Sequence, residues 1–189
     1  MNKTLLKKYF LFIVIILVMG IISGIIYYYK LDNSVSENVI KSLDNFNINH
    51  INNVFNHFTI MAIILILSFF LIGVPISIFY IFYEGISIGF IITIFSIKYG
   101  ISGFFYAIIF NLYTKLIHLF ILSIFIKKIY VISKTIIFNV VKNNSYTNKN
   151  ILITKFKSCL ILIIIIMFSD IIVYFTSYSF LSIFNGLLK

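Results

Sequence analysis

The chain has 189 residues, 61% hydrophobic and 11% charged, with a mean hydropathy of +1.11 and a net charge of +10. A soluble domain is about half apolar and about one quarter charged, and disorder goes with low hydrophobicity, so both are excluded. The apolar runs are continuous rather than alternating, which excludes a transmembrane barrel and leaves an all-α, polytopic helical membrane protein.

Five spans are expected, because each needs about 20 apolar residues. The first covers residues 9–29, preceded by Lys3, Lys7 and Lys8 and closed by Tyr27, Tyr28 and Tyr29. It reads as an uncleaved span with its tyrosines at the headgroup level, since no small-residue cleavage site follows.

Residues 30–57 form a polar loop. Ser34 and Glu37 have capping-box spacing, and Val39, Ile40, Leu43 and Phe46 follow at helical intervals. Such a stripe either docks a partner or lies on the outer leaflet. His50 and His57 fall seven positions apart, but no neighbouring acid or cysteine argues for a metal, and no cofactor is expected.

From Phe58 to Ile97 the apolar sequence is interrupted only by Glu84. At 1.5 Å per residue it spans roughly 60 Å, twice the hydrocarbon thickness, so the chain turns inside it. The expected turn is Glu84-Gly85, giving spans 58–83 and 85–98 with Pro75 kinking the first. A turn at Gly73-Val74-Pro75 is the alternative and leaves Glu84 inside a span. The fourth span, 101–126, is introduced by Gly100 and Gly103 and contains Lys115 and His118; the fifth, 158–180, contains Asp170. Gly20-xxx-Gly24 and Gly85-xxx-Gly89 allow close helix approach.

Residues 127–157 hold seven lysines and no acid, whereas 30–57 mixes both signs. The positive-inside rule places the N-terminus and the basic loop in the cytoplasm, against an anionic leaflet, and the 30–57 loop and C-terminus outside. Nucleic acid is not an expected partner of so short and tethered a basic segment. Lys115 lies roughly 18 Å of helix from the inner boundary at Lys127, and Asp170 roughly 20 Å from Lys157. The matching depths predict a Lys115–Asp170 pair, either a structural clasp or part of an ion pathway, with His118 hydrogen-bonded beside it. Gly100-Ile101-Ser102-Gly103 matches a rhomboid-protease motif, but His118 lies roughly 24 Å further along the same helix, too far for a dyad, so no enzyme is expected.

The stretch Leu71-Ile72-Gly73-Val74-Pro75, followed by Glu84-Gly85-Ile86-Ser87-Ile88-Gly89-Phe90 and by Tyr99-Gly100-Ile101-Ser102-Gly103-Phe104-Phe105, resembles the stage II sporulation protein M family. So does the layout of one N-terminal span, an outer loop, three central spans and a fifth after a basic loop. The resemblance implies a bacterial cell-membrane scaffold without catalysis of its own. It further implies extracytoplasmic peptidoglycan hydrolases, the stage II sporulation proteins D and P, as partners in forespore engulfment. In that reading Gly73, Pro75, Glu84, Gly85, Gly89, Gly100 and Gly103 shape the central hairpin, and the 32–57 segment recruits the partners. The family's Pro-Gln-Asn-like element is replaced here by Tyr113-Thr114-Lys115. A small transporter or permease subunit is the competing class.

Overall fold

The computed structural model describes residues 3–42, 50–70, 72–142 and 147–187, and within them there are only helices and short turns. In chain order these are α1 (Lys3–Tyr29), α2 (Asn33–Ser42), α3 (His50–Leu67), a single 3-10 turn (Ser68–Phe70), α4 (Gly73–Lys142) and α5 (Thr147–Leu187). Among the described residues, Phe10–Tyr29, Gly73–Lys115 and Leu152–Val173 are long and apolar enough to cross a membrane. Asn56–Phe70 is a shorter apolar stretch.

Helix boundaries run past the apolar limits. α3 begins at His50 and α4 ends at Lys142, so much of the two expected loops is helical. Lysine is a good helix former, and hydropathy marks contact with oil rather than the end of backbone hydrogen bonding. α1 ends where the Leu31 N–H donates to the Tyr28 carbonyl, and the Asp32 carbonyl then accepts from Val35 and Ser36 to start α2. Leu43 and Phe46 lie outside the described residues, as do the side chains of Val39 and Ile40.

The break in the long apolar run is at Ser68–Ile72, so the turn expected at Glu84-Gly85 is corrected: both residues lie within α4. Gly73 opens α4 because a Cβ there would sit 2.7 Å from the Ser68 backbone. Pro75 falls in the first helical turn, where its missing N–H costs no hydrogen bond; it starts the helix and does not kink it. α4 is interrupted instead at Gly100, with φ 64° and ψ −142°. No heavy atom lies within 4 Å of a Cβ built there, so Gly100→Ala isolates the backbone cost. We expect that substitution to lower stability by about 1–3 kcal/mol in detergent unfolding, and an unchanged midpoint would contradict the requirement for glycine.

The chain packs as two compact units. The first comprises Met1–Asn49, Phe79–Leu116 and Ser182–Lys189. In it α1 lies against the early part of α4, with no side chain between the backbones at their closest approach. A Cβ on Gly20 would lie 3.0 Å from the Gly85 Cα and strike the Phe82 carbonyl; one on Gly24 would strike the Ile86 carbonyl. Reciprocally, a Cβ on Gly85 would meet the Leu17 carbonyl and one on Gly89 the Ile21 carbonyl. Just beyond this crossing, Tyr28 is buried with its ring edge-on to Phe90 at 5.7 Å, while Tyr27 and Tyr29 are exposed. The three tyrosines therefore divide between packing and surface.

The arms of α4 on either side of Gly100 fold back on each other. Gly103 sits so close that a Cβ would strike the Phe95 carbonyl, and the Phe95 and Tyr106 rings pack at 5.3 Å.

The second unit comprises His50–Ile78 and Ile117–Leu181. Three buried stripes meet in it: Met61, Ile64 and Leu65 on α3, continued by Ser68 of the 3-10 turn; Leu122, Phe125, Ile126 and Ile129 on α4; Cys159, Leu162, Ile163 and Ile166 on α5. Each follows the i, i+3, i+4, i+7 pattern of one helix face. In an apolar solvent such faces cohere by van der Waals packing rather than by escape from water. The Ser133 hydroxyl donates to the Ser68 carbonyl at 3.0 Å, satisfying a carbonyl freed where α3 ends. Throughout both units, serine and threonine hydroxyls turn back on their own helices: Ser77 to Gly73, Thr93 to Gly89, Ser96 to Ile92, Thr114 to Phe110 and Thr135 to Val131.

Candidate functional site: two buried polar clusters

Ionisable side chains on apolar helices are costly and mark sites of structural or chemical importance. Such side chains occur in both units.

In the first unit, Glu84 and Ser87 stand one turn apart on α4, and the return of the chain at Gly100 brings Lys115 to them. The Lys115 Nζ donates to Glu84 Oε2 at 2.8 Å and to Ser87 Oγ at 2.9 Å. The Glu84 side chain is only 5% exposed and that of Lys115 21%. Placed alone in such surroundings either charge is expensive; paired and hydrogen-bonded, they offset much of each other's desolvation. Nearby, Asn111 is buried and its amide donates to the Ala107 carbonyl at 2.8 Å.

In the second unit, α3 contributes His57, the later part of α4 His118 and α5 Asp170. His57 Nδ1 lies 3.0 Å from Asp170 Oδ2, within hydrogen-bonding distance, and His118 Nδ1 lies 3.6 Å from Asp170 Oδ1. The two imidazole centroids are 4.5 Å apart. His118 is 2% exposed, Asp170 10% and His57 26%, so the cluster is closed on one side and opens at His57.

The partners differ from those that depth alone predicts. Lys115 is held by Glu84 and Ser87, and Asp170 by His57 and His118, in place of the expected Lys115–Asp170 pair. Equal depth fixes height along two helices but not the direction in which the side chains point. His57 as a ligand of Asp170 is not apparent from the sequence, where it stands at the polar edge of a loop. Its signal is a carboxylate in an apolar run that needs a donor, in a chain with only three histidines.

At the Gly100 turn, the Ser102 hydroxyl donates to the Tyr99 carbonyl at 2.8 Å. Gly73 and Pro75 start α4, Gly85, Gly89 and Gly103 allow close backbone approach, and Gly100 supplies the positive φ of the break. No family model, curated protein or solved structure matches the chain.

Proposed function

We propose that the chain is a multi-pass membrane scaffold of about five spans that positions extracytoplasmic peptidoglycan hydrolases. In a spore former these would be the stage II sporulation D and P type, acting in engulfment. The N-terminus and the basic 127–157 segment are cytoplasmic; the 30–57 segment and the C-terminus are outside. The break at Gly100 supports two crossings within Gly73–Lys115, whose 43 residues would otherwise be roughly 65 Å of straight helix. With α1, α3 and α5 the number becomes five.

The observation that carries the scaffold reading is the meeting of Gly20 and Gly24 with Gly85 and Gly89. Backbone-to-backbone contact fixes α1 on α4, and α1 passes within a few residues into α2, so the exit point of the 32–57 segment is fixed as well. An anchor needs such a fixed exit, whereas alternating access needs elements that rock. A small transporter subunit is the second reading, favoured by the charged pair Glu84–Lys115 on an apolar helix.

Photocrosslinkers placed between residues 32 and 57 in intact cells test the proposal. A peptidoglycan hydrolase is the expected catch. Recovery of no extracytoplasmic protein, or recovery of an ATPase subunit, would reverse the preference between the two readings.

A further inference from the structure

In the second unit, Lys128 follows the apolar run that ends at Ile126, and Lys155 and Lys157 precede the one that begins at Ser158. All three lysines therefore stand at the boundary of these runs, but they are not placed alike. Lys157 is exposed, whereas Lys128 and Lys155 are half-buried. Lys128 comes three residues after Phe125 and four before Ile132, and Lys155 four before Cys159; those three neighbours are wholly buried. At helical spacing this sets both lysines on the faces that α4 and α5 turn inward.

The two faces are pinned at one corner. The Ser133 hydroxyl of α4 donates to the Ser68 carbonyl, and the Phe156 ring of α5 packs on Phe69 at 5.7 Å, so both helices rest on the single 3-10 turn. The charges of Lys128 and Lys155 both reach the buried Cys159 thiol. Among the described residues no carboxylate pairs with either lysine. Asp170, the one acidic residue of this unit, lies roughly 22 Å of helix beyond Lys155 and faces the two histidines. Two half-buried ammonium groups repel each other more than they would in bulk water, and a shared anion turns that repulsion into attraction.

Lys157, Leu160, Ile161 and Ile164 follow at helical spacing as one exposed stripe of α5. A free anion would leave this apolar track bare, whereas a lipid lays an acyl chain along it. We propose that Lys128 and Lys155 hold the phosphate of one anionic glycerophospholipid between α4 and α5, with Lys157 at the head of the stripe that carries its acyl chain. The site rests neither on the scaffold reading nor on which face of the membrane bears it.

The test uses the full chain, purified in detergent, with retained lipid counted by native mass spectrometry. The protein is incubated with phosphatidylglycerol, with phosphatidylcholine, or with phosphatidylglycerol and excess inorganic phosphate. The expected result is about one phosphatidylglycerol per chain, held in preference to phosphatidylcholine and not displaced by phosphate. Lys128→Gln and Lys155→Gln should each weaken retention about fivefold, and together roughly thirtyfold. Replacing both by arginine keeps the charges and should keep the lipid, and Lys98→Gln, in the first unit, should have no effect. Equal retention of the two lipids by the unmodified chain, displacement by inorganic phosphate, or undiminished binding by the double glutamine variant overturns the site.

Discussion

Gly24→Val should separate α1 from α4. The added side chain begins with a Cβ aimed at the Ile86 carbonyl, and because the obstacle is backbone no rotamer change relieves the collision. The expected loss is about 3 kcal/mol, the upper end for overpacking, read as a shifted unfolding midpoint in detergent. Gly89→Val should behave in the same way from the opposite helix, through the Ile21 carbonyl. Combining the two should cost less than their sum, since the contact is already lost after one. Ser23→Ala is the control: its hydroxyl bonds back to the Met19 carbonyl one turn away, and the change should be nearly silent. If Gly24→Val unfolds with the unmodified midpoint, the two helices do not meet through their glycines.

Lys115→Met is the second large effect. It withdraws the cation from a Glu84 carboxylate that is almost fully enclosed, and breaking such a pair from one side costs about 3–5 kcal/mol. Adding Glu84→Gln to Lys115→Met removes both charges and should restore most of the lost stability, measured in the same unfolding assay. The double variant matters more than the single one, because rescue distinguishes the loss of an ion pair from the loss of a long side chain's packing. A double variant as unstable as Lys115→Met alone would show that the carboxylate is not what the lysine neutralises.

The helical, membrane-compatible class is legible from composition, and the reversal near Gly100 from the glycine that introduces the fourth apolar run. The turn between α3 and α4 is half legible. Two candidate sites fit the length of the apolar run, and Glu84 draws attention because a charge usually marks a surface. Once Glu84 is assigned to a turn it is lost as a partner for Lys115, and Asp170 is left as the apparent match. The error in pairing thus follows from the error in the turn.

Which faces pack is not legible at all. On α5, Leu160, Ile161 and Ile164 are exposed while Leu162, Ile163 and Ile166 are buried, though all are of one chemical kind. An all-round apolar helix gives no amphipathic contrast from which to read its inner face. The glycine pairs are the exception. They are visible in sequence as permissive features, and the structure supplies what the sequence lacks, namely that Gly20 and Gly24 face Gly85 and Gly89. His57 stays hidden for a different reason. Its partner Asp170 is 113 positions away, and spacing along the chain carries no trace of that contact.

The back-bonded hydroxyls of Ser96, Thr114 and Thr135, which are only half-buried, bear on how such a chain can drift over generations. A hydroxyl already satisfied by its own carbonyl presents to a lipid tail little more than an alanine or a valine would. These positions are therefore open to exchange between small polar and small apolar types without disturbing what the bilayer feels. An averaged profile scores each exchange as a change in oiliness, yet the helix surface stays equally greasy throughout.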